Sequence, residues 1–415
     1  MFRCKGRRLF WEDQEIEGDP FSFLKEIYRR NSLPSSSPLP FMGGLVGYFS
    51  YDLGFLIEEI PPFARDDLNL PDCMVGLYDK GIVWDHLSQE AWLVYEREED
   101  KEFLWEKLKT STPAFSPHSK VEGWEGNFSR ENYIQAIIRA KEYIRAGDIY
   151  QVNLSQRFSF RVSLSPLLYF FLLTRLNPSF FSAYLNFPPV QVVSSSPERF
   201  LYLEGERIQT RPIKGTRPRG RNSWEDERLR KELEESEKDK AELVMIVDLE
   251  RNDLGKICKK GTVRVPNLRE IETHPTVFHT VSTIEGEVRE DLTPLDCLYA
   301  CFPGGSITGA PKVRAMQIIE ELEPTRRSLY TGSIGYISLH GRMDLNIVIR
   351  TVIFHRGYAH FQVGGGIVAD SDPEREYQET LDKGKALVDT FQRISYERDM
   401  VEREIHSLSH IPAFS

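Results

Sequence analysis

The sequence predicts an α+β fold, antiparallel β-sheet with helices packed outside it. Three observations carry that prediction. Alternating apolar segments follow one another at hairpin-length spacing, as antiparallel strands do. Amphipathic helical segments fall between them and are suited to cover a sheet face. The glycine signatures of doubly wound and P-loop folds, GxGxxG after an early strand and GxxxxGK[ST], are missing.

Composition bounds the class. The chain has 415 residues, enough for two or three average domains or one large one. Hydrophobic residues make up 40% and charged residues 28%, a globular mixture that excludes disordered, collagen-like and coiled-coil chains. The net charge of −10 argues against a nucleic-acid partner. The longest apolar stretch, Leu167–Leu173, spans seven residues, far short of the roughly 20 that cross a bilayer. No membrane association is expected. The basic N-terminus is not followed by an apolar signal core. Five cysteines, odd in number and without zinc spacing, read as buried thiols of a reduced, cytoplasmic compartment. Cys297 and Cys301 stand four apart on an expected helix, where packing explains them.

The elements follow in order. Phe41–Leu53 and Asp72–Trp84 alternate and carry glycines, as strands do. Ser32–Pro40 and Thr110–Lys120 read as linkers. These divide the chain into an N-terminal layer over 1–120, a main region over 124–395 and a C-terminal tail over 396–415. Ser129 is placed to cap a helix whose stripe is Tyr133, Ile137, Ala140 and Ile144 and which stops at Gly147. Strands are expected at Tyr150–Phe160, Val190–Ser194, Val281–Val288, Ser333–Leu339, Asp344–Phe354 and Ala359–Val363. The charged run Glu225–Glu242 reads as a solvated helix face.

Four segments could carry chemistry. In RIQTRPIKGTRPRG, Lys214 stands among Arg211, Arg217 and Arg219. Neighbouring cations lower a lysine's pKa, and a neutral amine is a nucleophile or base. A surface basic loop is the competing reading. In SSSPE, Glu198 follows a proline at a strand end, a general acid or a helix-start charge. FPGGSITGAPK precedes a helix with Val313, Met316, Ile319 and Leu322 as its stripe, an anion-binding terminus or a plain loop and cap. Three glycines follow the strand HFQV and allow close backbone approach to a ligand. In the ADSDPEREYQET that comes next, Ser371 and Glu374 have capping-box spacing, and Glu376 and Glu379 share a helix face. Paired carboxylates suit Mg²⁺, or make a solvated acidic face.

Taken together, RPIKGTRPRG, AELVMIVDLERNDLG, FPGGSITGAPKVRAM, MDLNIVIRT and GGGIVADSDPEREYQET resemble the chorismate-binding enzymes. The branch they resemble most is the aminodeoxychorismate synthases, component I. The match runs from about Phe128 to Phe391, and GGLVGYFSYDLG and LPDCMVGLYDKGIVWDH extend it toward the N-terminus. The resemblance implies two facing, mainly antiparallel sheets flanked by helices, with the site between them. It implies chorismate and ammonia as substrates, Mg²⁺ as cofactor, and a separate glutamine amidotransferase subunit as ammonia source, since the chain has no GxCxG nucleophile.

Carried over residue by residue, Lys214 matches the nucleophile that attacks C2, and Glu198 the acid/base at the leaving oxygen. Glu242 and Glu379 match direct Mg²⁺ ligands, with Asp239 and Glu376 at water-mediated positions. Arg350 and Tyr330 match the grip on the pyruvyl carboxylate, helped by the amides of Gly364, Gly365 and Gly366. His279 and Thr308 match ring-proximal residues, and Gly215 stands beside the lysine as a substrate contact. The resemblance also separates close relatives. Anthranilate synthase component I carries alanine where Lys214 stands. Isochorismate and salicylate synthases carry lysine where this chain has Gln151. Lysine at 214 with glutamine at 151 therefore implies amination at C4, in 4-aminobenzoate and folate biosynthesis. A non-catalytic chorismate-binding regulatory subunit stays open as another class, although it has no use for Lys214. Against the family pattern the chain starts late, at MFRCKGRRLFWED. The N-terminal layer is therefore expected to be shortened, and a serine motif that contributes to a tryptophan pocket has no counterpart.

Overall fold

The computed structural model describes residues 1–34, 37–110 and 120–408. The N-terminal part holds β1 (Phe2–Lys5), β2 (Arg8–Trp11), β3 (Gln14–Ile16), α1 (Pro20–Asn31), β4 (Gly44–Phe49), β5 (Cys73–Tyr78), β6 (Gly81–Asp85), β7 (Glu90–Val94) and α2 (Glu98–Thr110). The middle holds β8 (Lys120–Gly126), α3 (Arg130–Ala146), β9 (Gln151–Ser163), α4 (Pro166–Leu176), β10 (Phe181–Phe187), β11 (Val190–Ser196), β12 (Arg199–Glu204), β13 (Arg207–Arg211), β14 (Ile213–Pro218), α5 (Ser223–Glu235) and α6 (Glu237–Gly255). The last part holds β15 (Arg264–Thr273), β16 (Val277–Glu287), α7 (Pro294–Cys301), β17 (Gly309–Ala310), α8 (Lys312–Leu322), β18 (Ser333–Ser338), β19 (Met343–Asn346), β20 (Thr351–His355), β21 (Tyr358–Ile367) and α9 (Pro373–Leu408).

Two large sheets form, with every strand pairing among the described residues antiparallel. Sheet I has the order β14-β16-β13-β12-β19-β18-β4-β5-β1-β2-β3, with β15 on β16. Sheet II has the order β10-β11-β20-β21-β9-β17, with β8 on β9. The sheets face each other. Tyr48, Met74 and Ile334 of sheet I share one core with Leu185, Val192 and Ile353 of sheet II. Helices α1, α6 and α7 cover the outer side of sheet I. On sheet II, α4 and α9 pack over β9, β20 and β21, and α3 and α8 over the end of β9. The result is the α+β layering that the sequence predicts. The five cysteines are free and buried, and Cys297 and Cys301 lie in the sheet I core.

Strands from residues 1–120 and from the region after 124 pair within sheet I through β4 and β18. Residues 35–36 and 111–119 of the expected linkers, and 409–415 of the expected tail, lie outside the described residues. Residues 396–408 continue α9.

Several element readings change. Asp344–Phe354 is not one strand. Its residues divide between β19 in sheet I and β20 in sheet II, and the chain changes sheets at Arg350, where φ is +49°. Apolar alternation continues through the crossing, so periodicity alone cannot see it. The glycines 364–366 do not follow a strand; they are paired within β21, opposite Ser155, Leu154 and Asn153. The run Glu225–Glu242 is two helices meeting at Ser236, whose hydroxyl caps α6, and Leu233 within it is fully buried. Val313 is exposed, while Ala315 and Ile318 join the buried stripe of α8. The Ser371/Glu374 capping box does not form. Asp372 takes the Arg375 N–H at 3.0 Å, and Ser371 instead donates to Glu376 at 2.7 Å.

Candidate active site

The site forms where sheet I and sheet II converge on α6 and α9. Lys214 comes from β14 and Gly366 from β21. A Cβ added to Gly366 would lie 3.7 Å from Lys214 Nζ and 2.1 Å from Gln151 Nε2. Glycine is thus what lets the lysine amine and the Gln151 amide meet the β21 backbone. Gly365 faces the other way, its missing Cβ 3.2 Å from Glu376 Oε2 and 3.8 Å from Glu379 Oε1. At Gly364 a Cβ would lie 2.7 Å from the Leu154 carbonyl oxygen. Gly215 holds φ +84°, and a Cβ there would come within 3.0 Å of Asp239 Cγ.

Burial lowers the Lys214 amine below the ordinary lysine range, while Glu242, Glu198 and Glu379 hold it up. The expected cause, a ring of guanidinium groups, is not the one observed. Arg211 pairs with Glu272 at 2.5 Å, Arg217 with Glu232 at 2.9 Å and Arg219 with Asp226 at 2.7 Å. Each arginine charge is answered locally; desolvation is the main cause that lowers the lysine, and the Lys383 ammonium adds to it.

Glu198 is buried after the bend at Pro197. Burial raises its pKa, opposed by the Ser306 hydroxyl, Lys214, the Ile213 N–H and Arg350. Ser306 Oγ donates to Glu198 Oε1 at 2.5 Å, a charge-assisted bond that orients the carboxyl. Arg350 is half-buried. Burial lowers its pKa and the charge of Glu198 raises it.

Four carboxylates gather between α6 and α9. Lys238 Nζ sits 4.0 Å from Glu242 Oε1 and 3.5 Å from Glu376 Oε1. Lys383 Nζ stands 2.7 Å from Glu379, and Arg217 reaches Asp239 at 3.3 Å. Burial raises Glu242, with Lys214 and Lys238 opposing. Burial also acts to raise Glu379, but Lys383, Lys238 and Lys214 hold it below the usual carboxylate range. In this arrangement no three His, Cys, Asp or Glu side chains among the described residues stand at metal-holding distance. The donor set is nonetheless hard oxygen, and an ammonium group already rests between two of its members, so a divalent cation fits its chemistry.

His279 is buried on β16 with Nδ1 2.9 Å from Thr216 Oγ1. Burial, Arg350 and His274 push it down to about 3, so it stays neutral, and its Nε2 has no hydrogen-bond partner among the described residues. Thr308 is buried, its hydroxyl donating to the Gly304 carbonyl at 2.7 Å. Tyr330 is buried beside the Arg327 guanidinium, 5.7 Å from its ring centre, and burial raises its phenol. Arg327 in turn donates to Ile307 O at 3.1 Å and pairs with Glu323 at 2.8 Å.

The model of the family described as chorismate binding enzyme matches residues 2–389. The chain belongs to the chorismate-binding enzymes. It is 44% identical to aminodeoxychorismate synthase component 1 of Escherichia coli (strain K12) over 88% of this chain and 81% of that one. It is 45% identical to anthranilate synthase component 1 of Thermus thermophilus, over 93% and 86%. Among solved structures, anthranilate synthase component I from Streptococcus pneumoniae TIGR4 superposes with a TM-score of 0.85 at 33% identity, covering 93% and 89%. Both kinds of chorismate-binding enzyme are therefore matched about equally.

The glycines, Lys214, Gln151 and the four acidic residues converge on one region, and Glu198 and His279 are tied to it through Lys214 and Arg350. FPGGSITGAPK contributes a 3₁₀ turn at Gly305–Ile307 and then leads into α8, whose cap residue Pro311 makes no side-chain hydrogen bond. Residue reasoning did not single out Ser306, Lys238 or Lys383. The two lysines were findable as i,i+4 partners of Glu242 and Glu379; Ser306 depends on a turn that spacing does not reveal.

Proposed function

We propose that this chain aminates chorismate at C4, giving 4-amino-4-deoxychorismate, with ammonia from a separate glutamine amidotransferase subunit. The observation that carries the reading is Lys214: a desolvated amine against Gly366 and Gln151, between a buried acid and an acidic cluster. A C2-aminating enzyme has no need of an amine there. A water-activating one places its lysine at 151, where this chain has glutamine. Similarity alone favours neither amination.

The Lys214 amine bonds to C2 of the ring as the C4–oxygen bond breaks. Glu198, whose buried carboxyl keeps its proton to higher pH than usual, protonates the departing hydroxyl, which leaves as water. Ammonia then bonds to C4 while the bond from Lys214 to C2 breaks, and the lysine leaves as the amine it was. The proton that the new ammonium group sheds restores Glu198. Arg350, Tyr330 and the amides of Gly364 and Gly366 orient the pyruvyl carboxylate, the Gly365 amide being held in the ladder opposite Leu154, with Gly215, His279 and Thr308 around the ring. Glu242 and Glu379, backed by Asp239 and Glu376, would hold Mg²⁺. When bound it supplies positive charge that offsets the ring carboxylate.

The test is product identification. Chorismate, MgCl₂ and an ammonium salt are incubated with the chain, and products are separated chromatographically. The 4-amino product is expected, and its formation falls by at least about 10²-fold in Lys214→Ala. Anthranilate as the product, or undiminished C4 amination by the variant, overturns the reading.

A further inference from the structure

Glu250 is a carboxyl that the chemistry above does not use. It lies on α6, two turns beyond Glu242, and is 3% exposed. Its Oε1 accepts the Gly305 N–H at 3.2 Å, and its Oε2 accepts the Thr210 hydroxyl at 3.4 Å. Gly305 opens the 3₁₀ turn whose next residue, Ser306, donates to Glu198. Two carboxylates therefore hold adjacent residues of one short turn: Glu250 grips the Gly305 backbone from α6, and Glu198 receives the Ser306 hydroxyl.

A Cβ at Gly305 would lie 2.6 Å from Leu249 Cδ2 and 3.2 Å from Glu250 Oε1, so the turn is seated directly on α6. The turn has no side-chain cap of its own. We propose that Glu250 is a positioning residue for Glu198, acting through the Gly305–Ile307 turn. It fixes the turn so that the Ser306 hydroxyl meets the Glu198 carboxyl in one orientation, and its charge is felt at Glu198.

The charged groups facing Glu250 are few. Asp253 lies one turn on along α6, Lys312 reaches in from α8 and bonds Asp253, and Glu198 approaches from the β11–β12 bend. Lys256 also pairs with Asp253, at 2.9 Å. Burial first, then Asp253, raises Glu250 to about 7, against Lys312. Its charge therefore changes near neutral pH, and a change there reaches Glu198.

The experiment follows chorismate loss with ammonium salt and MgCl₂ in Glu250→Gln, Glu250→Ala, Ser306→Ala and Glu250→Ala/Ser306→Ala. Chorismate loss is blind to which carbon is aminated. The C4 reading fails separately, through anthranilate as the product of the unsubstituted chain. Glutamine keeps an acceptor for the Gly305 N–H, so Glu250→Gln should stay within about fivefold of the parent kcat. Glu250→Ala should lose about 10²-fold in kcat with KM for chorismate nearly unchanged, the scale of an ångström of misplacement. Because both residues act through one turn, the double variant should be no slower than Ser306→Ala alone. In Glu250→Gln the limb of the kcat profile that Glu198 sets should move to lower pH, since an anionic neighbour is gone. Multiplying losses in the double variant, glutamine as damaging as alanine, or an unmoved limb each overturns the proposal. Should Glu250→Ala fail to fold, the shift of that limb in Glu250→Gln decides the matter.

Discussion

Lys214 is held between two opposed effects. Burial disfavours its charge, and three carboxylates favour it. An amine poised this way can lose its proton without leaving the acidic cluster, which suits a nucleophile that must form and then break a bond. The cluster itself is tested by neutralising one member. Glu376 is 4% exposed and shares Lys238 with Glu242. Glu376→Gln is expected to weaken Mg²⁺ binding about 10-fold or more, the scale of lost outer support at a metal site. Calorimetric titration with MgCl₂ checks it, and an unchanged Kd removes Glu376 from the metal set. At this scale the residue types were readable, because RPIKGTRPRG and EREYQET announce an amine and paired acids. The cause of the lysine's shift was not, because salt-bridge partners such as Glu272 and Asp226 cannot be assigned from neighbours in sequence.

At the scale of elements, β21 decides which backbone meets the lysine. Its glycines separate two consequences. Gly364→Ala drives a methyl against the Leu154 carbonyl of the paired strand, a backbone collision expected to cost roughly 1–3 kcal/mol. Gly366→Ala meets mainly the flexible tip of Gln151 and lies beside Lys214. It should leave the melting temperature within a few degrees of the parent while lowering chorismate turnover. Thermal melts run alongside turnover assays test the pair, and equal loss of stability in both contradicts this reading of the strand. The helix α3 shows where sequence suffices: Ser129 caps it and Gly147 ends it with φ +84°, both local signals. The crossing at Arg350 shows where it does not. The left-handed residue there is an arginine, whose identity gives no turn signal, and apolar alternation runs unbroken to either side. Sheet membership is decided by partners far away in the chain.

For the whole molecule, buried groups of opposite kind set the pH dependence of stability. His360 is held near 4 by burial and Arg157. Between about pH 4 and its ordinary 6.5 the unfolded chain binds a proton that the folded chain refuses, so this histidine makes stability fall as pH falls. Asp52 behaves oppositely. Burial, then Asp72, raises it to about 7, so the folded chain holds a proton between about pH 4 and 7 and stability is lost as pH rises. Urea unfolding at pH 5, 6 and 7 should therefore change slope in opposite directions. His360→Gln makes the slope against pH less positive between 5 and 6.5, and Asp52→Asn makes it more positive, each by up to about 1.4 kcal/mol per pH unit. Parallel profiles for both variants and the parent would contradict the assignment. Among the described residues no helix is long and apolar enough to cross a membrane, as hydropathy indicates. The two-sheet architecture follows from the family motifs, which supply the long-range pairings that periodicity leaves open.

The most direct measurement is intact and peptide mass spectrometry after incubation with chorismate and MgCl₂ in the absence of any amine. A covalent adduct of chorismate less one water is expected on Lys214, and Lys214→Ala should show none. An unmodified Lys214 in a chain that converts chorismate once ammonium is added would contradict the account.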